Sequence, residues 1–91
     1  MKKRVGIRIY GFVQGVNFRY YTKEEAEKLN LSGWVKNEPD DSITIVAEGE
    51  GEDLKNLIEW SKKGPPLASI ENVKIEWQEP RGEKGFKVRY E

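Results

Sequence analysis

The sequence predicts an α+β fold in which two helices cover one face of an antiparallel sheet. Three observations lead to this fold class. Segments in which apolar and polar residues alternate lie before, between and after two segments with the apolar spacing of a helix. Turn-forming residues separate these segments, and no linker or repeat divides the chain. The 91 residues suffice for one two-layer domain, residues 1–91, because a chain of this size buries roughly two-thirds of its unfolded surface.

The first predicted strand comprises residues 5–12. Val5, Ile7 and Ile9 alternate with residues of the opposite face, which is the pattern of a half-buried strand. We therefore expect these three side chains to share the buried face of the sheet.

The first helix is predicted from about residue 18 to residue 29. Its start has two candidates, which are Asn17 as an N-cap and a later capping box formed by Thr22 and Glu25. The apolar stripe favours the early start, and Asn30 is expected to close the helix in a left-handed conformation. The stripe consists of Phe18, Thr22, Ala26 and Leu29.

A hairpin follows the first helix. Residues 31–37 form its first strand, with Val35 on the buried face, and residues 42–48 form its second strand. Residues 38–42 between them are rich in turn formers. We expect the two strands to pair as antiparallel neighbours.

The C-terminal half contains a second helix and two more strands. Residues 49–51 interrupt the third strand, and the acidic residues near them suit a helix N-terminus. This helix ends at residues 62–64, before two prolines, and strands around residues 73–77 and 86–90 follow. The order is the ferredoxin-like split βαβ plan, βαββαβ with a short C-terminal strand. The inner stripe of the second helix is Leu54, Leu57, Ile58 and Ser61.

The loop of residues 11–19 is the main candidate for a functional site. Gly11 and Gly15 allow a sharp turn between a strand and a helix, and Arg19 closes this segment. Such a turn directs several backbone N–H groups at one point, where the helix N-terminus adds positive potential. We therefore predict a phosphate cradle. Its expected residues are Gln14, Gly15, Val16, Asn17, Phe18 and Arg19.

Composition narrows the chemistry and the location. The chain has no cysteine and no histidine, which excludes a thiolate nucleophile, a histidine base and the usual zinc ligands. Its formal net charge is zero, whereas nucleic-acid binders normally carry a basic excess. No apolar run is long enough for a membrane span or a signal peptide, so we expect a cytoplasmic protein. Charged residues, mainly Lys and Glu, make up 35% of the chain, as in proteins of hyperthermophiles.

Two sequence motifs resemble the signatures of acylphosphatases. The first is Val-Gln-Gly-Val-x-Phe-Arg at residues 13–19, and the second is Gly-Trp-Val-Lys-Asn at residues 33–37. The resemblance continues through residues 47–49, 64–65 and 85–90, so it covers essentially the whole chain. One departure is visible, because many members of the family end the turn after the second motif with Asp-Gly. Here that turn contains no glycine.

The resemblance implies an enzyme that hydrolyses an acyl phosphate to a carboxylate and inorganic phosphate. It implies that Arg19 binds the phosphoryl group and that Asn37 positions the attacking water. It also implies that no metal and no other cofactor takes part. The expected partner is thus a small-molecule acyl phosphate, with no nucleic acid and no membrane, and nothing in the sequence requires more than a monomer.

The residues themselves are suited to this chemistry. The Arg19 guanidinium can donate to two phosphate oxygens at once. Asn37 is no base near neutral pH, but its amide can accept one hydrogen bond from water and donate another, so it can aim a water at phosphorus. We infer that the departing carboxylate or a phosphate oxygen accepts the proton.

Other functions stay open at the level of the sequence. A ferredoxin-like module that binds RNA would carry aromatic residues on its third strand, and residues 43–47 have none. A non-catalytic anion-binding domain would not require Asn37, and hydrolysis of carbamoyl phosphate would use a related site. Arg19 could instead pair with Glu24, and the acidic pairs at residues 24–25 and 40–41 could hold a divalent ion.

Overall fold

A computed structural model describes residues 1–90 of the chain. Two helices pack on a five-stranded sheet, and the apolar core lies between these two layers. The elements in chain order are β1 (Lys2–Phe12), α1 (Phe18–Lys28), β2 (Ser32–Asn37), β3 (Ile43–Glu50), α2 (Gly51–Lys63), β4 (Ser69–Gln78) and β5 (Phe86–Arg89).

The predicted order of elements and the ferredoxin-like α+β fold are confirmed, but the prediction of an antiparallel sheet is wrong for one pair. The sheet order is β4-β1-β3-β2-β5, and β5 pairs with β2 in parallel register, with Val88 opposite Val35. The other three pairs are antiparallel. Strands β4 and β2 therefore run in opposite directions. The chain leaves the C-terminal end of β4 and crosses this same end of the sheet to the opposite edge. β5 then starts at that end, so it runs opposite to β4 and parallel to β2.

The buried face of the sheet is the predicted one. Val5, Ile7 and Ile9 are at most 1% exposed, and Val35 is fully buried. The four predicted stripe residues of α2 are all buried. The apolar side chains among them form one cluster with the inner face of α1, so the two helices are held firmly against the sheet.

Helix α1 begins where its apolar stripe predicted. Phe18 is its first residue, and its ring packs edge-on against Trp60 of α2 with ring centroids 5.6 Å apart. Thr22 lies buried inside the helix and donates to the Phe18 carbonyl oxygen at 2.8 Å, so the capping-box alternative is wrong. Asn30 has the predicted left-handed conformation, with φ of +58°.

Three strands are longer than predicted, and the extension of β1 contains a buried ion pair. β1 begins at Lys2, β3 extends through residues 49 and 50, beyond the predicted break, and β4 spans Ser69–Gln78 rather than residues 73–77. Arg4 and Glu48 lie directly opposite each other in register, and Arg4 Nη1 donates to Glu48 Oε2 at 2.7 Å. Each charge compensates the other, so both residues continue the strands while only 3% and 5% exposed.

Candidate active site

A cavity of about 670 Å³ lies where the loop after β1 meets the N-terminus of α1. Its walls come from this loop, from the first turns of α1, from the end of β2 and from β5. Five of the seven predicted site residues line the cavity, and Gln14 and Val16 do not. The five are Gly15, Asn17, Phe18, Arg19 and Asn37.

The loop backbone has the geometry of an anion cradle. The angle φ is +78° at Gly15 and +62° at Asn17, and it is not positive at the residues on either side of them. Such alternation points successive N–H groups to the same side of the chain and forms an anion-binding concavity. A Cβ on Gly15 would meet no atom within 4 Å, so there is space for a side chain at this position. Glycine is favoured there because its φ is positive.

Gly11 directs the chain into this loop. The pairing of β1 with β4 shifts register between Tyr10 and Gly11, where φ reaches +131°. A Cβ on Gly11 would collide with the Ser69 carbonyl oxygen of β4. Glycine therefore allows the close approach of β4 at the point where β1 bends toward the cavity.

Several N–H groups of the loop are available to a ligand. The N–H groups of Gly15, Asn17, Phe18 and Arg19 have no hydrogen-bond acceptor among residues 1–90. The first bonded donor of α1 is Tyr21, whose N–H donates to the Asn17 carbonyl oxygen at 3.1 Å. Asn17 occupies the predicted N-cap position, and its side chain makes no capping hydrogen bond. The helix N-terminus thus keeps donors that an anion can use.

Gln14 and Val16 hold the loop from outside the cavity. The Gln14 side-chain amide donates to the carbonyl oxygens of Glu38 and Ser42, each at 2.9 Å. Val16 is 7% exposed and belongs to the apolar core. Gln14 therefore ties the loop to the turn between β2 and β3, directly after Asn37. Phosphate contacts by these two residues stay predictions.

Arg19 lies in the first turn of α1 and points toward β5. Its Nη1 donates to the Arg89 carbonyl oxygen at 3.3 Å, and its guanidinium carbon lies 4.7 Å from the centre of the Tyr90 ring. The alternative ion pair with Glu24 is not formed, and the Glu24 carboxylate instead accepts a hydrogen bond from Tyr20 at 2.9 Å. Arg19 forms no ion pair within residues 1–90, so its charge is available to an anion in the cavity.

Asn37 reaches the cavity as the last residue of β2. Its backbone is held by pairing with Ile43 of β3, while its side chain makes no hydrogen bond to any described residue. The turn after it closes without a glycine, because Asp41 adopts φ of +72° and its N–H donates to the Glu38 carbonyl oxygen at 3.2 Å. The position of Asn37 is thus well defined, and its amide is available to a water or a ligand.

Comparison with known proteins identifies the family of the chain. The acylphosphatase family model matches residues 5–88. The chain belongs to the acylphosphatase family. An acylphosphatase of Thermococcus kodakarensis is 49% identical over 85 residues, 93% of each chain.

Solved structures agree with this assignment. The acylphosphatase of Bacillus subtilis matches with a TM-score of 0.94 and 35% identity, covering 99% of this chain and 100% of that chain. The acylphosphatase of Coxiella burnetii matches with a TM-score of 0.93 and 38% identity, covering 97% of this chain and 93% of that chain. The predicted family and the predicted ferredoxin-like fold are therefore confirmed.

Among residues 1–90, the charged side chains that line the cavity are all positive, and only one of them, Arg19, was predicted from the sequence. The charged residues that line the cavity are Arg19, Lys23 and Lys87, and none of the described lining residues is acidic. Lys23 follows Arg19 by four residues on α1, so the helical spacing alone could have indicated it. The contribution of β5 had no such signal, because it depends on the parallel pairing with β2.

The acidic pairs of the sequence belong to the surface. Within residues 1–90 there is no group of three or more acidic side chains that could hold a metal ion. Asp40 instead accepts hydrogen bonds from the backbone and hydroxyl of Ser42, which lower its pKa, while burial raises it and Arg8 lowers it further. Neither described helix is long and apolar enough to cross a membrane.

Proposed function

We propose that this acylphosphatase hydrolyses acyl phosphates by in-line attack of a water molecule that Asn37 positions. The observation that supports this proposal is the meeting of three features in one cavity. These are the N–H groups of the loop, the guanidinium of Arg19 and the amide of Asn37. The reaction breaks the bond between phosphorus and the acyl oxygen and yields a carboxylate and inorganic phosphate.

The loop and Arg19 would hold the phosphoryl group. The planar guanidinium can donate to two phosphate oxygens, and the N–H groups of Gly15 to Arg19 can surround the others. Phosphoryl transfer needs positioning and charge stabilisation more than covalent chemistry, and an acyl phosphate already has a good leaving group. One donor in a preorganised site of this kind lowers the barrier by about 3–4 kcal/mol.

Asn37 would hold the water and the substrate would take the proton. The chain has no histidine and no cysteine, and none of the described cavity residues is acidic, so the site offers no ordinary base near neutral pH. The attacking water therefore loses its proton to a phosphate oxygen or to the departing carboxylate. We expect kcat to show no basic enzyme group that titrates near neutrality.

The remaining parts of the proposal concern partners and location. We propose a metal-independent, cytoplasmic and monomeric enzyme that does not bind nucleic acid and that is thermostable. The zero net charge argues against a nucleic-acid partner, and the high content of Lys and Glu favours thermostability. No observation favours a non-catalytic anion-binding domain.

One experiment tests the function and the mechanism together. Hydrolysis of benzoyl phosphate is followed for the wild type, Arg19→Ala and Asn37→Ala, with and without a chelator, and circular dichroism checks that each variant is folded. We expect chelator to have no effect and Asn37→Ala to lower kcat by about 10²-fold with little change in KM. An inactive wild type would contradict the function, and full activity of Asn37→Ala would contradict the role of that residue.

A further inference from the structure

The cavity extends beyond the site proposed for the phosphate. Its volume of about 670 Å³ is in the range of sites that enclose whole small molecules, so it leaves room for an acyl group. Beyond the loop and Arg19, the wall contains the aromatic residues Tyr20 and Tyr90, the aliphatic residue Val88 and two lysines, Lys23 on α1 and Lys87 on β5. The wall that faces the acyl group is therefore largely apolar with two positive charges, of which Lys23 lies on the same helix as Arg19.

Lys23 is separated from the phosphate site along the axis of α1. It follows Arg19 by four residues and lies on the same side of the helix, about 6 Å further from the loop. Arg19 and the loop N–H groups already provide enough donors for the oxygens of one phosphoryl group. Lys23 is thus placed to meet the opposite end of a substrate whose phosphate lies in the loop.

Lys23 forms a long and solvent-exposed ion pair with Glu27. Its Nζ lies 3.8 Å from a carboxylate oxygen of Glu27, and the two side chains are 44% and 57% exposed. Such a surface pair has little net strength and exchanges readily with solvent. Because none of the described lining residues is acidic, an anion that enters the cavity meets no repulsion from its walls.

We propose that Lys23 is a specificity-determining residue that binds a carboxylate on the acyl group of the substrate. This inference depends on the function proposed above. The favoured substrates are then monoacyl phosphates of dicarboxylic acids. Their free carboxylate lies about 6 Å or slightly more from the phosphate, which matches the position of Lys23 along α1. The flexible stem of lysine accommodates several chain lengths, so the class of substrate is selected rather than one compound.

Two substrates of the same shape test this selection. Para-carboxybenzoyl phosphate and para-carbamoylbenzoyl phosphate differ in charge but hardly in size, and the para position prevents attack of the substituent on its own acyl phosphate. We expect the wild type to have the higher kcat/KM for the carboxylate. Lys23→Met should lower the ratio of the two kcat/KM values about fivefold, the discrimination expected for one partly exposed charge pair.

Control variants separate this role from general attraction of anions. Glu27→Gln releases Lys23 from its surface partner and should raise the ratio, whereas Lys28→Met changes a lysine of the same helix outside the cavity and should leave it unchanged. The preference should also weaken as the ionic strength increases.

Two results would overturn the inference. One is a wild type without preference for the carboxylate, and the other is a Lys23→Met variant that loses the same factor on both substrates. In either case hydrolysis of the carbamoyl compound by the wild type would leave the proposed function intact. A wild type that hydrolyses neither compound would contradict the proposed function itself.

Discussion

Arg4 and Arg19 show two different uses of the same side chain. Arg4 is 3% exposed and donates to Glu48, Glu83 and Gln78 at 2.7–3.0 Å. Arg19 is partly exposed, donates to one carbonyl oxygen and contacts one aromatic ring. The surroundings of Arg4 saturate its charge, whereas those of Arg19 within residues 1–90 orient its charge and contain no acidic partner for it. The number of acidic partners thus distinguishes a structural arginine, Arg4, from Arg19, the arginine that we propose to bind the phosphoryl group.

The cluster around Arg4 fastens the segment that leads to the active site. Burial alone would lower the pKa of Arg4, but its hydrogen bonds to Glu48 and Glu83 raise that pKa overall. Glu48 also accepts hydrogen bonds from the backbone N–H groups of Arg81, Gly82 and Glu83 at 2.7–3.0 Å. Residues 79–85 carry the chain from β4 to β5, and β5 forms a wall of the cavity. The two arginines are therefore connected through β5.

The largest effect is expected from removing the charge of Arg19. Arg19→Met should lower kcat by about 10²–10³-fold, which corresponds to about 3–4 kcal/mol, because the phosphoryl group loses its bidentate partner. The free energy of unfolding should change little, since Arg19 forms no ion pair within residues 1–90. Steady-state kinetics and urea denaturation check the two parts. A large loss of stability would show that Arg19 resembles Arg4 after all.

Removing the charge of Arg4 should lower the stability of the protein and leave kcat nearly unchanged. Arg4→Met should destabilise the protein by about 3 kcal/mol, because the buried Glu48 carboxylate loses its cation but keeps its three backbone donors. The kcat of the folded enzyme should remain close to that of the wild type below the unfolding transition. Urea denaturation gives the stability, and kinetics at low temperature give kcat. A selective loss of kcat would contradict the separation of the two arginines.

The pKa of Glu48 predicts how the stability of the buried cluster around Arg4 depends on pH. Burial raises the pKa of Glu48, but the hydrogen bonds from Arg81 and Arg4 and from the other loop N–H groups outweigh it and lower the pKa to about 2. A carboxylate with a lowered folded pKa stabilises the protein above its unfolded pKa near 4.5, and this stability is lost as the pH falls toward about 2.

Urea denaturation as a function of pH checks this prediction. The wild type should lose stability progressively from about pH 4.5 to pH 2, and Glu48→Gln should be less stable at neutral pH but show a flatter dependence. An unchanged slope in Glu48→Gln would assign the acid sensitivity to other carboxylates.

The smallest effect is expected at Tyr90. Its ring lies 4.7 Å from the guanidinium carbon of Arg19 but is largely exposed, so the contact is worth about 0.5–1 kcal/mol. Tyr90→Leu should therefore lower kcat/KM about two- to fivefold. Tyr90→Phe keeps the aromatic face and is the matched control. Equal losses in both variants would indicate a role of the hydroxyl group instead.

Local patterns predicted the parts of the molecule that depend on local physics. The alternation of Val5, Ile7 and Ile9 and the stripe of α2 both identified buried faces, because burial follows the period of each element. The apolar stripe of α1 also located its start at Phe18. The extension of β1 was missed because Arg4 is charged, and only its pairing with Glu48 across the strands allows it to be buried.

In the candidate site, too, some residues could be predicted from local sequence and others required the tertiary structure. Gly15 and Arg19 lie in one continuous motif, so the sequence alone could predict an anion cradle there. Asn37 entered through the resemblance of a second motif, and its place in the same cavity required the pairing of β2 with β3. Lys23 was missed, although its four-residue spacing from Arg19, itself a predicted site residue, could have indicated it.

The amino-acid sequence by itself thus determined the order of the elements, their buried faces, the loop with its positive-φ glycine and the family of the protein. These features depend on side-chain periodicity, on glycine and on motifs of neighbouring residues. Only the tertiary structure decided the parallel placement of β5, the burial of Arg4 with Glu48 and the contacts that orient Arg19. Each of these depends on residues far apart in the chain, whose interaction exists only after the sheet has formed.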